Sequence, residues 1–460
     1  MACRATRQGS SYCLQMVYEH YSAKPRHSSQ DCRASQCADS RIGKNARITM
    51  DKYTCIDLFA GCGGLSEGFM SSGHFTSLAH VEWEMPMVDS LRHRLVKKWG
   101  YTELEAMKDV IHFDIQKTEE LLNGDWSEET LQLYGSSNAS ITCKRGLRGK
   151  IGDSSVDLII GGPPCQAYSI HGRAQDKNGM NDDYRNYLFE SFVKIVNAFK
   201  PKLFVFENVP GMLSAHPGGI KVTKRIYEAF TSIGYVIRKP EELDKCIFNA
   251  VDYQVPQERK RVILIGIPQN SKLNLDEIYS SIDGCSTKGV IKTVRDALGN
   301  FPPLYPLPHP QKYGRKNISH TANSDPNYTQ HEARYLSIRD IGVYRRWVNE
   351  KLNHISHQEK IDFYFNVTGH KTLYAKYKSL EWDKPSQTVV AHLCKDGHMF
   401  IHPDASQARS ITIREAATLM TFPLDFDFIG TNAMCYRMIG NAVPVLFAQG
   451  IANGIAKVLS

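Results

Sequence analysis

The chain has 460 residues, of which 42% are hydrophobic and 23% are charged, and its formal net charge is +8 at pH 7. These proportions are typical of a folded globular protein, and no uninterrupted apolar run approaches the ~18 residues that a membrane-spanning helix needs. The 12 cysteines are scattered, without a C-x-x-C pair or a Cys/His cluster at zinc-finger spacing. The sequence therefore predicts a reduced, intracellular protein without a membrane span or a metal site.

The first 49 residues differ in composition from the rest of the chain. They carry a net charge of +5, leaving +3 for all that follows, and they show little hydrophobic periodicity. No apolar stretch follows the basic start, so no secretory signal is visible. We expect residues 1–49 to be a basic, disordered and dispensable extension, which lies upstream of the folded part of the chain that starts at Met50. A DNA-contacting arm or an organelle-targeting segment are the alternatives.

Short apolar runs alternate with stretches of helical periodicity up to Pro268. One such stretch stops before Pro201 and has apolar residues at Leu188, Phe192, Ile195, Val196 and Phe199. Runs of strand length that suit burial on both faces lie at residues 55–59, 77–81, 156–160, 203–206 and 261–265. This alternation predicts a doubly wound α/β sheet, and we place a catalytic and cofactor-binding domain at residues 50–268.

A glycine turn follows the first predicted strand. Asp57 and Phe59 end that strand, and Gly61, Gly63 and Gly64 precede an apolar helical stretch. Glycines in this position let the backbone approach a ligand at a helix N-terminus. The spacing is not G-x-G-x-x-G, which counts against a dinucleotide.

Acidic residues follow the next two predicted strands. Glu82 comes 25 residues after Asp57, where a carboxylate can accept hydrogen bonds from both hydroxyls of a ribose. Trp83 beside it could stack on adenine, and Asp114 could meet the adenine amino group. Taken alone, Glu82 and Trp83 would be a solvated loop carboxylate and a packing residue. The glycine turn favours the ligand-binding interpretation.

A candidate nucleophile follows the strand at residues 156–160. Cys165 is preceded by two glycines and by Pro163 and Pro164, which stiffen the chain before it. A thiolate that adds to C6 of cytosine makes C5 enamine-like, so that C5 can accept an alkyl group. An isolated cysteine is more often a small buried hydrophobe. In this proline-flanked loop we interpret Cys165 as catalytic.

Acid and guanidinium groups complete the predicted chemistry. Glu207 ends the strand at residues 203–206, where it could hydrogen-bond and protonate cytosine N3. Arg259 would meet O2, where negative charge also develops, and Arg261 could bind phosphate or support Arg259. Taken alone, residues 257–261 would more often be the solvated, charged entry to a strand. Their position just before a buried strand favours a role in the site.

The α/β pattern ends after Pro268. Residues 269–405 are rich in Pro, Asn, His, Tyr, Lys and Arg, and predict a second, smaller and irregular domain. Order returns at residues 413–420 and in the apolar helix that follows Pro444. We treat residues 406–460 as a separate C-terminal segment.

Taken in order, the motifs resemble those of the cytosine-C5 DNA methyltransferases, particularly the bacterial restriction–modification enzymes. The matching residues are 57–64 (DLFAGCGG), 161–169 (GGPPCQAYS), 207–209 (ENV), 257–261 (QERKR), 409–417 (RSITIREAA) and 440–444 (GNAVP). The resemblance implies a Rossmann-like methyltransferase domain that uses S-adenosylmethionine, with a smaller target-recognition domain at residues 269–405. It also implies that the last helix returns to pack beside the first strand.

The same resemblance implies a role for each site residue. It makes Cys165 the nucleophile and places Glu207 at N3 and Arg259 at O2. Around S-adenosylmethionine it places Phe59, Glu82, Trp83, Asp114 and Asn441.

The expected activity is methylation of cytosine C5 in a short duplex DNA sequence, through base flipping and a covalent bond between Cys165 and C6. We expect a monomer in the bacterial cytoplasm, associated with DNA, and a possible partner endonuclease that cuts the same site. The alternatives are an RNA (tRNA) cytosine-C5 methyltransferase and a non-catalytic DNA-binding regulator. The tRNA-modifying relatives carry a Cys-Phe-Thr element that this chain lacks. A regulator would have no chemical need to retain Cys165, Glu207 and Arg259 together.

Overall fold

A mixed eight-stranded sheet forms the centre of the described part of this computed structural model, which comprises residues 52–164, 188–395 and 397–460. Cys165 and the extension at residues 1–49 therefore lie outside the described residues. The strands are β1 (Tyr53–Leu58), β2 (Phe75–Glu82), β3 (Val110–His112), β4 (Leu158–Gly161), β5 (Leu203–Asn208), β6 (Tyr235–Val236), β7 (Ile247–Asn249), β8 (Lys260–Pro268), β9 (Pro306–Tyr313) and β10 (Lys316–His320).

Helices cover the sheet and build most of the rest of the described chain. The α-helices are α1 (Gly64–Ser71), α2 (Met85–Trp99), α3 (Glu103–Asp109), α4 (Thr118–Asn123), α5 (Glu128–Tyr134), α6 (Ser140–Ile151), α7 (Leu188–Phe199), α8 (Val222–Ser232), α9 (Leu275–Asp283), α10 (Val294–Leu298), α11 (Ile338–Asn349), α12 (His357–Thr368), α13 (Ile413–Leu419), α14 (Asn432–Asn441) and α15 (Val445–Leu459). Short 3-10 helices lie at Gly135–Ser137, Pro210–Ser214, Pro217–Gly219, Pro240–Cys246, Ala250–Tyr253, Leu352–His354 and Ala391–Cys394.

The sheet order is β3-β2-β1-β4-β5-β8-β6, with β7 also paired to β8. The first five of these strands are parallel, and their apolar residues are buried, as for Ile159 and Phe204. The predicted doubly wound α/β fold is confirmed. Chain order reverses between β1 and β4, and ligands of such sheets bind outside the carboxyl ends of the strands at this point.

Strand β8 runs antiparallel to β5, with Glu207 opposite Ile263 and Asn208 opposite Val262. The beginning of β8 therefore lies at the same edge of the sheet as the ends of β4 and β5. Because β8 is antiparallel to β5, its first residues, including Arg261, lie at the edge of the sheet where β5 ends with Glu207 and Asn208.

The C-terminal helix packs on the first helix of the sheet. Helix α15 lies against α1 so closely that a Cβ on Gly68 would come within 2.4 Å of the Ala448 Cβ. By length and composition, Asn432–Leu459 is apolar enough to cross a membrane, but the described chain breaks it into α14 and α15 and buries most of it in the core.

A separate small hydrophobic core lies in the second half of the chain. It includes Trp347, Tyr344, Tyr377 and Ile401. Helix α9, by contrast, packs against α15, and the Ser281 hydroxyl donates to the Gly454 carbonyl across 2.8 Å. Helix α9 thus follows residue 269 and packs on the C-terminal helix. The domain boundary that the sequence predicts at residue 269 stays a prediction.

Candidate active site

The turn between β1 and α1 has an unusual backbone conformation. Phe59, Gly61 and Gly63 have φ values of 59°, 58° and 93°, which are left-handed and costly for a side chain such as that of Phe59. A Cβ on Gly64 would lie 2.6 Å from the Val443 carbonyl oxygen. The glycines are therefore required both by the turn and by the close approach of the chain between α14 and α15.

Glu82 ties the turn to the end of β2. Its Oε2 accepts a hydrogen bond from the Gly61 backbone N–H at 2.8 Å, and its Oε1 accepts from those of Trp83 and Glu84, each at 2.9 Å. Burial raises the pKa of Glu82 to about 7, although these three N–H groups favour the carboxylate. The side chain predicted to bind a ribose is thus held in one orientation beside the glycine turn.

Asp57 provides a second buried carboxyl group at this turn. The Ser66 hydroxyl donates to its Oδ2, while Oδ1 is buried and has no hydrogen-bond partner among the described residues. Burial raises the pKa of Asp57 to about 7; the hydrogen bonds from Ser66 oppose this shift, and the charge of Glu82 adds to it. A buried oxygen in this state suits a ligand that brings its own hydrogen-bond donors, as S-adenosylmethionine does.

The remaining predicted cofactor residues surround this turn less directly. Asp114 is half-buried, and the preceding Phe113 donates its backbone N–H to the Glu82 carbonyl at 2.9 Å. Trp83 is 50% exposed, which leaves its ring available for stacking. Asn441 is exposed at the end of α14, and no hydrogen bond joins its side chain to the described part of the turn.

Glu207 and Arg261 form an ion pair at the carboxyl edge of β5. Arg261 Nε lies 2.8 Å from Glu207 Oε1, and the two side chains are 11% and 12% exposed. Gly162 faces them, since a Cβ at that position would lie 2.6 Å from Glu207 Oε2. The pair is therefore fixed at the edge of the sheet, next to the chain that leads to Cys165.

Asn208 fastens the chain that precedes Cys165. Its Nδ2 donates to the Pro163 carbonyl at 3.4 Å, and its Oδ1 accepts the Val209 backbone N–H at 2.9 Å. Asn208 is fully buried. Asn208 belongs to the motif at residues 207–209, but no role was predicted for it from the sequence. The signal that could have revealed it is a polar amide that follows Glu207 at the end of an apolar strand.

Arg259 bonds to backbone carbonyls of segments that are distant in the sequence. Its guanidinium is buried, and Nη1 donates to the Val389 carbonyl at 2.7 Å. Nη2 donates to the carbonyls of Gly440 at 3.1 Å and Ala442 at 2.8 Å. Arg259 thus bonds to the backbone of the protein. That it meets the substrate oxygen, and that Arg261 binds phosphate or supports Arg259, stay predictions.

Gln257, in the motif at residues 257–261, also bonds to distant segments of the chain. The side chain is buried, with Oε1 accepting from the Val389 backbone N–H at 2.9 Å and Nε2 donating to the Leu419 carbonyl at 3.2 Å. Gln257 and Arg259 therefore both bond to the backbone of Val389.

Within the described ranges, no group of three or more His, Cys, Asp or Glu side chains could hold a metal ion.

Comparisons with known proteins show the family to which this chain is similar. The family model for the C-5 cytosine-specific DNA methylases matches residues 53–457. The Type II methyltransferase M.Bpa9945I of Bacillus paralicheniformis is 34% identical over 88% of this chain and 99% of its own length. The Type II methyltransferase M1.HphI of Haemophilus parahaemolyticus is 31% identical over 88% of this chain and 87% of its own. The predicted restriction–modification type is confirmed by these relatives.

The fold is also found among solved structures. A protein described as a DNA modification methyltransferase encoded within a prophage (E. coli) superposes with a TM-score of 0.54 at 23% identity, covering 89% of this chain and 99% of its own. This likeness concerns the fold. By the family match across most of its length, the chain belongs to the C-5 cytosine-specific DNA methylases and is a DNA (cytosine-5-)-methyltransferase.

Proposed function

We propose that the chain methylates C5 of a flipped-out cytosine in a short duplex DNA sequence, with Cys165 as nucleophile and S-adenosylmethionine as methyl donor. The observation that supports it best is the Glu207–Arg261 ion pair, which lies beside Gly162 in the chain leading to Cys165. An acid, a guanidinium and the approach to a thiol thus meet at one edge of the sheet.

The chemistry begins at the thiolate. The Cys165 sulfur forms a bond to C6 of cytosine, and the electron pair of the C5=C6 bond moves into the ring. Glu207 donates a proton to N3, and Arg261 stabilises the charge that develops at O2. C5 then carries the electron density that attacks an electrophilic carbon.

The second half of the reaction restores the ring. After C5 has gained the methyl group, a base removes the C5 proton, the C5=C6 bond forms again and the Cys165 sulfur leaves. N3 returns its proton to Glu207 in the same phase. We assign the base to no residue, because no carboxylate or histidine of the described site is placed for it, and water can serve.

Arg259 has a different role in this scheme from the one predicted. Its three carbonyl contacts join the start of β8 to residues 389, 440 and 442. A Cβ on Gly440 would lie 2.3 Å from the Ala391 backbone nitrogen, so α14 packs directly on the backbone of residues 390–391. Arg259 therefore positions the chain around Arg261, and Arg261 faces the substrate.

The cofactor is held by the turn after β1. S-adenosylmethionine, when bound, supplies an electrophilic methyl group. Glu82 would bind the ribose hydroxyls, and the glycines at 61, 63 and 64 would let the backbone approach the ligand. The unpartnered Oδ1 of Asp57 would accept a hydrogen bond, and Trp83, Phe59, Asp114 and Asn441 would complete the site.

We assign recognition of the DNA sequence to residues 269–405 and a return to the catalytic domain to residues 406–460. A protein of this kind would work in the bacterial cytoplasm as a monomer, alongside a possible endonuclease that cuts the same sequence. Residues 1–49 would be dispensable.

The test is transfer of tritiated methyl from S-adenosylmethionine to duplex DNA and, in parallel, to tRNA. We expect label in DNA, none in tRNA, and complete loss of transfer in Cys165→Ser with cofactor binding retained. Cys285→Ser removes a partly exposed cysteine elsewhere and should retain activity. Duplex DNA with 5-fluorocytosine at the target should form a denaturation-resistant adduct with the wild type. Label in tRNA alone, or substantial turnover by Cys165→Ser, would contradict the proposal.

A further inference from the structure

Strands β9 and β10 form a hairpin that pairs only with itself among the described strands. We propose that this hairpin enters the DNA major groove and reads part of the target sequence. Lys312, Arg315 and Lys316 bind phosphates, and Asn317 contacts a base edge. The inference rests on the proposed function, because it requires duplex DNA as the substrate, and it assigns sequence reading to one element of the chain.

The charge of the hairpin is of one sign. No Asp or Glu occurs from residue 297 to residue 324, whereas three cations occur near the tip at Lys312, Arg315 and Lys316. All three are exposed, and none forms an ion pair or a side-chain hydrogen bond with a described residue. Three like charges within five residues repel one another, and a polyanion removes that repulsion.

Two exposed cations close to the hairpin in sequence are paired with acidic side chains. Arg295 bonds to Asp383 at 2.8 Å, and Lys288 bonds to Asp283 at 2.6 Å. Both pairs lie within residues 283–383, close to the hairpin in sequence. The lack of acidic neighbours is therefore a local property of the hairpin and not of the surrounding segment.

The shape of the hairpin suits the major groove, which admits a two-stranded β-ribbon. The chain from Gln311 to the turn at Gly314 spans roughly 10 Å at ~3.3 Å per residue. This is comparable with the ~8.5 Å depth of the groove, so the tip could reach base edges while the strands remain beside the phosphates. Gly314 has a φ of 59°, which allows the tight reversal.

The strand register arranges the polar side chains by face. Asn317 is paired with Lys312, and Ile318 is paired with Gln311 on the opposite face. Asn317 and Lys312 are both exposed, so one face of the ribbon offers an amide and a cation side by side. An Asn amide can hydrogen-bond adenine in bidentate fashion, and Lys contacts guanine or phosphate. Asn317 is therefore the side chain suited to base reading.

The base of the hairpin is anchored firmly. His320 Nε2 lies 3.0 Å from the Gln407 carbonyl oxygen, and the Leu304 backbone N–H donates to Gln407 Oε1 at 3.0 Å. The same Oε1 accepts from Arg409 Nη2 at 2.7 Å, and Arg409 forms two 2.7 Å bonds with Glu415 at the start of α13. These bonds fix the base of the hairpin to the segment that leads into α13.

The experiment uses the full chain, plasmid DNA and a 30-base-pair duplex that contains a site mapped by bisulfite sequencing. Arg315→Gln, Lys316→Gln and Lys312→Gln should each weaken duplex binding and reduce the slope of log affinity against log salt by about one. Asn317→Ala should reduce discrimination at one base pair of the target by about 10-fold or more, so that cytosines in related sequences become methylated. Unfolding temperatures should stay close to that of the wild type, because these side chains are exposed.

Lys52→Gln is the matched control. Lys52 is exposed and immediately precedes β1, at the edge of the sheet opposite to Glu207, so its loss should leave salt slope and methylation pattern unchanged. Wild-type slopes in all three cation variants would overturn the DNA contact. Reduced slopes with an unchanged pattern in Asn317→Ala would overturn base reading. A wild type that methylates no cytosine would refute the proposed function itself, which separates the two failures.

Discussion

Arg261 forms an ion pair with Glu207, with Nε 2.8 Å from Oε1, and the pair joins the second residue of β8 to the fifth residue of β5. The contact exists because β8 is antiparallel to β5, so that the start of one strand lies beside the end of the other. It keeps a proton donor and a cation next to each other at the edge where the chain leads to Cys165.

Replacing Glu207 should separate chemistry from binding. Glu207→Gln keeps the shape of the side chain but removes the acid, and we expect the single-turnover rate of methyl transfer to fall about 10²-fold or more. DNA affinity should change much less. Glu258→Gln is the control in the neighbouring motif, since Glu258 is exposed and bonds to Asn249 at 2.7 Å. An unchanged single-turnover rate with uniformly weaker DNA binding would make Glu207 a positioning residue.

The two arginines should respond differently to removal. Arg259→Ala leaves the buried carbonyls of Val389, Gly440 and Ala442 without their donor and should lower the free energy of unfolding by about 3 kcal/mol or more. Arg261→Ala should slow methyl transfer by about 10²-fold and, although it leaves Glu207 without its partner, should lower the free energy of unfolding by less than Arg259→Ala does. Urea unfolding and single-turnover kinetics measure the two effects. If Arg259→Ala were stable but inactive, the original assignment of Arg259 to the substrate would stand.

Gly162 should be needed for the position of Glu207. In Gly162→Ala the new Cβ would lie 2.6 Å from Glu207 Oε2, and the end of this flexible side chain would have to move. We expect a loss of at least about 10-fold in the rate of methyl transfer, with little change in stability. Gly342→Ala is the control, because a Cβ at Gly342 would meet nothing within 4 Å. Equal rates in the two variants would show that Glu207 tolerates displacement.

Asp57 should make stability depend on pH. Burial raises its pKa to about 7 in the folded protein, whereas the unfolded chain releases this proton near pH 4. The folded state therefore holds more protons between these values, and the free energy of unfolding should fall as pH rises from about 4 to about 7.

Asp57→Asn cannot ionise and should remove roughly 1–3 kcal/mol of this fall, as measured by urea unfolding of the cofactor-free protein at several pH values. Asp153→Asn, at an exposed position, should leave the pH dependence as in the wild type. If the free energy of unfolding varied with pH in the same way for Asp57→Asn and the wild type, a raised pKa at this carboxyl group would be excluded.

Much of the fold could be predicted from the sequence because the signals are local. Short apolar runs that suit burial on both faces indicated β1, β2, β4, β5 and β8, and Pro201 correctly marked the end of α7. The glycine turn and Glu82 follow their strands directly, so parallel strand order alone brings them to one edge, and the 2.8 Å bond from Gly61 to Glu82 agrees with that reasoning.

The roles of Arg259 and Arg261 could not be read in the same way. A buried apolar run looks alike in a parallel and an antiparallel strand, so the sequence did not reveal that β8 reverses beside β5. Nor could it reveal that Arg259 meets carbonyls 130 to 183 residues further along the chain. Such contacts depend on how distant segments pack, for which adjacent residues carry no pattern.

The sequence by itself thus determined the chemistry available to this protein, since residue types and motif order specify a thiol, an acid, guanidinium groups and a glycine turn. The tertiary structure decided which of these groups face one another. It paired Glu207 with Arg261, assigned Arg259 to the backbone around residues 389 and 440, and left the β9–β10 hairpin unpaired with the central sheet. The physical reason is that strand direction and long-range packing are set by the whole chain at once.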